Sequence, residues 1–407
     1  MAGLYIHIPF CKHRCIYCGF YSTTSLEWRS RYVNAICREM QLRTTALGGS
    51  APTALGDSVA ESIATIYLGG GTPSQLTIPH LEQLFLYINK VYRLTEPCEM
   101  TIEVNPDDVT ADYAAALQHL GINRVSMGAQ TFDDQRLRFL HRRHTAAQVS
   151  QAVRLLREAG IQNISVDLMY GFPGETLADW HHDIDAVLAL DVEHISAYCL
   201  TIEEGTPLHR MLNGDCPSCE ERSGLQGDCP LSEETERQMY EMLIDQLTAA
   251  GYEHYEISNF ARSGYRSRHN SSYWNDVPYI GLGAAAHSYM SAPTVLGGSA
   301  AETRAVRSWN VSDLRQYIDA IERGELPSEH EVLDPDTHYN DRIATALRTS
   351  DGLDLMTLDE KHRRYCLKEA EPFINDGLLQ LHNGVRLILT RKGLFISDMV
   401  MSSLMLV

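Results

Sequence analysis

Cys11, Cys15 and Cys18 stand at C-x3-C-x2-C spacing in one short loop that follows the apolar run Tyr5–Ile8. Thiolates are the protein ligands of iron–sulfur clusters, and a four-iron cubane normally takes four of them. Three on one loop hold three irons and leave the last open to a small molecule that binds through nitrogen and oxygen. The competing readings are a zinc clip or three unrelated thiols. Zinc sites pair C-x2-C with a second pair further along the chain, and no obvious second pair completes this one. Further chemistry-bearing residues recur downstream: Gly69-Gly70-Gly71-Thr72-Pro73, Glu103 with Asn105-Pro106, Gln130, the pair Arg142-Arg143, and Asp167 shortly before Tyr170-Gly171-Phe172-Pro173-Gly174.

These residues need elements to bring them together. Short apolar runs predict strands at Leu4–Ile8, Thr65–Leu68, Met100–Val104, Arg124–Met127, Ser165–Met169 and His194–Cys199. Amphipathic stretches predict helices at Trp28–Arg43, His80–Val91, Ala111–His119, Thr145–Ala159 and Ala178–Leu190. Alternating βα units build a parallel sheet, and βα barrels gather function at the carboxyl ends of their strands. The fold class is therefore α/β, a partial (β/α)6 barrel of TIM type, and the residues above converge at its mouth. A further helix is expected at Glu233–Ala250, with an irregular region to about Leu333. The tail, with its helices and a turn at Asn383-Gly384, looks like a smaller α+β, winged-helix-like domain. Three units result: 1–230 as the barrel, 231–333 as a connecting region, and 334–407 as the C-terminal domain.

Bulk properties narrow the function. With 53 Asp and Glu against 34 Lys and Arg, the net charge of −19 argues against nucleic acid or an anionic membrane as partner. The tail from Asp336 to Asp398 holds nine Lys and Arg against ten Asp and Glu, so it lacks the footprint of a DNA-binding winged helix. A structural or docking role is expected for it. Neither a signal peptide nor an 18-residue apolar run is visible, and ten cysteines in 407 residues do not make a disulfide scaffold, so a reducing cytoplasm is expected. Cys216, Cys219 and Cys229 lie in a polar insertion without histidine and read as an exposed loop rather than a metal site.

Tyr5-Ile6-His7-Ile8-Pro9-Phe10, the three cysteines and Tyr17 resemble the signature of radical S-adenosylmethionine (SAM) proteins, in particular the oxygen-independent coproporphyrinogen III oxidase-like family. The resemblance covers nearly the whole chain. It implies a 4Fe-4S cluster on Cys11, Cys15 and Cys18, and a SAM site to which Gly70, Gly71, Thr72, Glu103, Gln130, Arg142 and Asp167 carry over, with Tyr5 and Tyr17 as adenine- or methionine-side contacts. Each has a plain alternative: a turn for the glycines, a strand cap for Glu103, Arg143 in place of Arg142, and ordinary packing for the tyrosines.

Two departures point away from the oxidases: Phe20 stands where they carry a fourth cysteine, and the first expected strand starts at the fourth residue. Arg268-His269-Asn270-Ser271-Ser272-Tyr273-Trp274 instead resembles the HNxxYW motif of the HemW haem chaperone branch. An imidazole can ligate haem iron, and Tyr273 and Trp274 offer flat apolar surface. A histidine among aromatics is also a common structural device, and His287 is a second candidate, more suited to packing beside the site. The resemblance favours a chaperone that binds haem and passes it to acceptor apo-proteins, with a reductant for the cluster and membrane contact only through acceptors. Coproporphyrinogen III oxidation, or radical SAM chemistry on another substrate, is the alternative. Enzymatic activity and homodimerisation are left open, and no catalytic residue is assigned.

Overall fold

A computed structural model describes residues 1–45, 62–212, 231–294 and 302–406. Cys216, Cys219 and Cys229 lie outside the described residues.

Six strands run parallel in sequence order: β1 (Ala2–Ile8), β2 (Ile63–Gly70), β3 (Leu94–Val104), β4 (Arg124–Gln130), β5 (Asn163–Tyr170) and β6 (His194–Cys199). Crossover helices link them: α1 (Arg29–Thr45), α2 (Ile78–Val91), α3 (Ala111–His119), α4 (Asp134–Phe139), α5 (Ala146–Glu158) and α6 (Leu177–Ala189). Helix starts are written locally. Thr145 and Gln148, and Thr176 and Asp179, form reciprocal capping boxes that satisfy the free N–H groups of the first turn.

Strand alternation sorts the chain into two environments. One parity faces the helices and is apolar: Ile66 and Leu68, Ile102 and Val104, Val125 and Met127, Ile164 and Val166, and Ile195 join Leu84, Leu117, Leu156 and Ile184 in one core. Burying each such side chain contributes about 1.5–3 kcal/mol. The other parity faces the barrel interior and is polar: Thr65 and Tyr67, Thr101 and Glu103, Arg124 and Ser126, Ser165 and Asp167, His194 and Ser196. Bulky aliphatic layers usually fill such a lumen; here hydrogen-bonding groups do.

The segment expected to be irregular up to Leu333 is largely ordered sheet and helix. After α7 (Pro207–Leu212) and α8 (Glu233–Ala249), the strands β7 (Glu253–Glu256) and β8 (Asn259–Ala261) continue the sheet beyond β6. The helix α9 (Arg268–Trp274) follows, and β9 (Tyr279–Leu282) runs parallel to β1 on its other side. From there β10 (His287–Thr294), β11 (Glu302–Asn310) and β12 (Ser328–Val332) carry the sheet outward antiparallel, with α10 (Leu314–Glu322) between the last two. These strands escape a hydrophobicity reading because they carry little of it: every residue of β12 is exposed, and β9 has only four residues.

The C-terminal unit has its own core around Tyr339, Ile343, Leu353, Cys366, Leu387 and Leu404. It comprises α11 (Pro335–Ala346), β13 (Leu353–Asp354), α12 (Glu360–Asn375), the hairpin β14 (Leu379–His382) and β15 (Arg386–Leu389), then α13 (Arg391–Leu394) and α14 (Ser397–Leu404). It docks on the sheet through backbone bonds from Ile257 N to Arg348 O and from Ser350 N to Tyr255 O. Among the described residues no helix is long and apolar enough to cross a membrane.

Candidate functional site

At the carboxyl ends of β1–β5 the regular pattern breaks, and each break sets a polar group over the barrel mouth. β1 runs into the cysteine loop, anchored by Cys11 N donating to Thr23 O and closed by Cys18 N donating to Cys15 O. β2 ends at the glycines. Gly70 takes φ +115°, and a Cβ there would fall 2.6 Å from the His7 ring; at Gly71 a Cβ would lie 2.8 Å from the Pro9 carbonyl carbon. Only glycine lets β2 end this close to β1. In β4 the register slips between Gly128 and Gln130, and Gln130 takes φ 69°, so the irregularity re-aims its side chain.

Cys11, Cys15 and Cys18 line one cavity of about 610 Å³ together with Tyr5, Tyr17, Gly70, Gly71, Thr72, Glu103, Gln130, Arg142 and Asp167. That volume is in the range of small-molecule sites. All three thiols are free. Thr72 Oγ1 donates to Cys11 Sγ and Arg142 Nη1 to Cys15 Sγ, both at 3.5 Å, and such donors favour thiolate. Burial opposes this, pushing the Cys11 and Cys18 thiols up. Among the described residues no three His, Cys, Asp or Glu side chains crowd into a single-ion site. Thiolates that each take a separate iron need no such crowding, and three of them on one loop are a donor set that fits an iron–sulfur cluster. Arg142 Nε is buried without a partner in the cavity wall.

Two carboxylates face the cavity from below. Glu103 accepts from Tyr67 OH at 2.8 Å and from Gly70 N at 3.1 Å. Burial pushes its carboxyl up to about 7; the Tyr67 hydrogen bond pulls down, nearby Asp167 adds to the rise, and Gly70 and Arg124 pull down. Asp167 accepts from Ser126 Oγ at 3.3 Å, and burial raises it as well, against Ser196, Arg124 and Ser126.

The helix α9 lies elsewhere. Ser267 caps it, and Glu99 accepts from Arg268 N and His269 N at 3.0 and 2.9 Å. His269 is 1% exposed, with Nδ1 against Thr65 Oγ1 at 2.8 Å and Nε2 against Tyr273 OH at 2.9 Å. Its ring stacks on Tyr67, and burial, reinforced by the charge of Arg124, lowers its pKa to about 3. A Cβ on Gly3 would touch this ring, so His269 sits at the amino end of β1, about 17 Å along the strand from the cysteine loop. Arg348 of the C-terminal unit lies 5.3 Å over the Trp274 ring. None of His269, Tyr273 and Trp274 lines the cavity. His287 is exposed and lies near Trp309, and it is not among the residues that line the cavity.

Two profiles match the chain: the radical SAM superfamily over residues 5–187 and the HemN C-terminal domain over 333–396. A Bacillus subtilis protein named Heme chaperone HemW is 35% identical over 369 residues, spanning 89% of this chain and 88% of its own length. A Lactococcus lactis protein of the same name is 30% identical over 407 residues, spanning 99% and 97%. This chain belongs to the HemW family of radical SAM proteins. The structure of Escherichia coli coproporphyrinogen III oxidase (HemN) shares its fold with a TM-score of 0.76 at 20% identity, over 99% of this chain and 89% of that one.

In this HemW-family chain both adjacent arginines line the cavity, and Arg142 donates to Cys15 Sγ, Asn105 Oδ1 and the Gly128 carbonyl. Arg143 pairs with Asp107 and Asp108. Sequence reading missed His7, Ser126 and Tyr198, all at the cavity, and Arg124 beneath it. Counting by twos along the strands from Glu103 and Asp167 would have found the same parity on β4 and β6.

Proposed function

We propose that this chain is a haem chaperone that carries a SAM-binding 4Fe-4S cluster and passes haem to acceptor apo-proteins. The observation that carries this reading is the identity to relatives named haem chaperones over most of the chain. The family implies the cluster and SAM, and the cavity supports the assignment residue by residue. Cys11, Cys15 and Cys18 would hold the cluster. Gly70, Gly71 and Thr72 offer open backbone and a hydroxyl for the methionine end of SAM, Glu103 and Asp167 offer acceptors for hydroxyl groups, Gln130 and Arg142 wall the site, and Tyr5 and Tyr17 pack its flat portions. One-electron cleavage of SAM to methionine and a 5′-deoxyadenosyl radical is the chemistry that a reduced cluster supplies when bound, and it requires an external reductant. Phe20, 73% exposed at the cavity rim, stands where the oxidase branch carries another cysteine.

For haem we propose His269, Tyr273 and Trp274. The bond from His269 Nε2 to the Tyr273 hydroxyl must open for the imidazole to serve iron. The division into 1–230, 231–333 and 334–407, cytoplasmic residence and self-association belong to the same proposal. Titrating haem into the purified protein tests it. A Soret shift that disappears in a His269→Ala/Tyr273→Ala variant is expected. No shift in the unmodified protein overturns the chaperone reading, and undiminished binding by the variant moves haem away from α9. Formation of protoporphyrinogen from coproporphyrinogen III, anaerobically with SAM and reductant, would favour the oxidase instead.

A further inference from the structure

Arg124 begins β4 with its side chain in the barrel interior, 1% exposed, and Nε and Nη1 have no hydrogen-bond partner. A buried arginine left this bare costs several kcal/mol, and a fold keeps one where its charge is used. Its inward neighbours one pleat nearer the mouth are Ser126 on its own strand, Glu103 on β3 and Ser165 on β5; Asp167 follows one pleat further along β5 and reaches back to Ser126 Oγ. It makes no ion pair with either carboxylate, so it acts through its field, which is weakly screened inside the barrel. The imidazoles around it do not share this work. Burial holds His269 neutral, with a pKa of about 3, and lowers that of His194 well below the ordinary value.

We propose that Arg124 is the positioning residue of the SAM site, the counter-charge that keeps Glu103 and Asp167 as acceptors for the hydroxyl groups of SAM. The proposal rests on the reading that the cavity binds SAM. Facing the two carboxylates are Tyr5 from β1, Tyr67 from β2, Tyr198 from β6, Tyr273 from α9, and the two cations Arg124 and Arg142. The tyrosines remain neutral, their pKa values raised by burial. Arg142 turns to the Cys15 thiol, the Asn105 side chain and the Gly128 carbonyl, which leaves Arg124 as the cation beneath the pair.

The test is SAM affinity against pH for the cluster-loaded full chain under anaerobic conditions, in wild type, Arg124→Met and Arg124→Lys. Wild type is expected to lose affinity below about pH 7, as Glu103 takes up its proton. In Arg124→Met the midpoint should move up by about one pH unit, with roughly fivefold weaker binding at pH 7 and recovery at high pH. Arg124→Lys, which keeps the charge, should restore the wild-type midpoint. A structural role alone would lower affinity at every pH without moving the midpoint, and that result overturns the proposal. If Arg124→Met does not fold, Arg124→Lys and Arg124→Met/Glu103→Gln decide: the double variant should fold better than the single one, and failure to do so counts against the coupling. Absence of SAM binding by wild type overturns the reading of the cavity and this proposal with it.

Discussion

Glu103 should make the fold less stable as pH rises, and Glu103→Gln should remove that effect. In the unfolded chain the carboxyl ionises around its ordinary value of 4.5; in the fold burial holds the proton to about pH 7. Between those values the folded chain binds more protons than the unfolded one, so stability falls as pH rises and levels off above 7. The separation corresponds to about 3 kcal/mol once both states are ionised, of which about 2 kcal/mol is already lost at pH 6. Tyr67 OH and Gly70 N donate to different oxygens of Glu103, and glutamine places an NH2 donor at one of the two, a mismatch that has its own cost of about 1–3 kcal/mol. The mismatch does not depend on pH, so it cancels when the difference between the two proteins is compared at two pH values. From pH 6 to pH 8 the variant should gain on wild type by about 1 kcal/mol. Urea denaturation of both proteins at each pH, without SAM, measures this. Parallel pH profiles would refute the assignment of a buried, proton-holding carboxylate at this position.

Other outcomes follow from the same structure. Cys11→Ser, Cys15→Ser or Cys18→Ser should abolish cluster absorbance after anaerobic reconstitution, whereas Cys37→Ser, Cys98→Ser or Cys366→Ser should retain it, since those three thiols are buried away from the cavity. Iron and sulfide retained by the triple variant of the first set would sink the cluster assignment. Glu39 is fully buried and accepts from Arg43, Asn310, Gly283 N and Tyr317 OH. Glu39→Ala strands the buried Arg43 and should cost about 3–5 kcal/mol in denaturant unfolding; a loss below about 1 kcal/mol would contradict that network.

The barrel was legible because its strands are bounded by turns and its helices carry a repeating apolar face. The lining of the cavity was legible because the three cysteines are local in sequence and the remaining residues fall at strand ends, where the fold itself brings them together. The edge strands were not: β12 buries nothing, and β10 and β11 carry polar residues among their apolar ones. Nor was the polar lumen. Arg124 looks like any charged strand start until the parity of β4 turns it inward. The engagement of both His269 nitrogens was equally hidden, since Thr65 lies 204 residues away in sequence.

The placement of α9 at the amino ends of the strands has a consequence for how two ligands share the molecule. None of His269, Tyr273 and Trp274 lines the cavity, so on the proposed sites a porphyrin at α9 and a nucleoside in the cavity would bind noncompetitively. Any influence between them has a short material route, because the His269 ring lies on Tyr67 and Tyr67 donates to Glu103. Occupancy at the floor of the barrel can be felt at its mouth through two side chains.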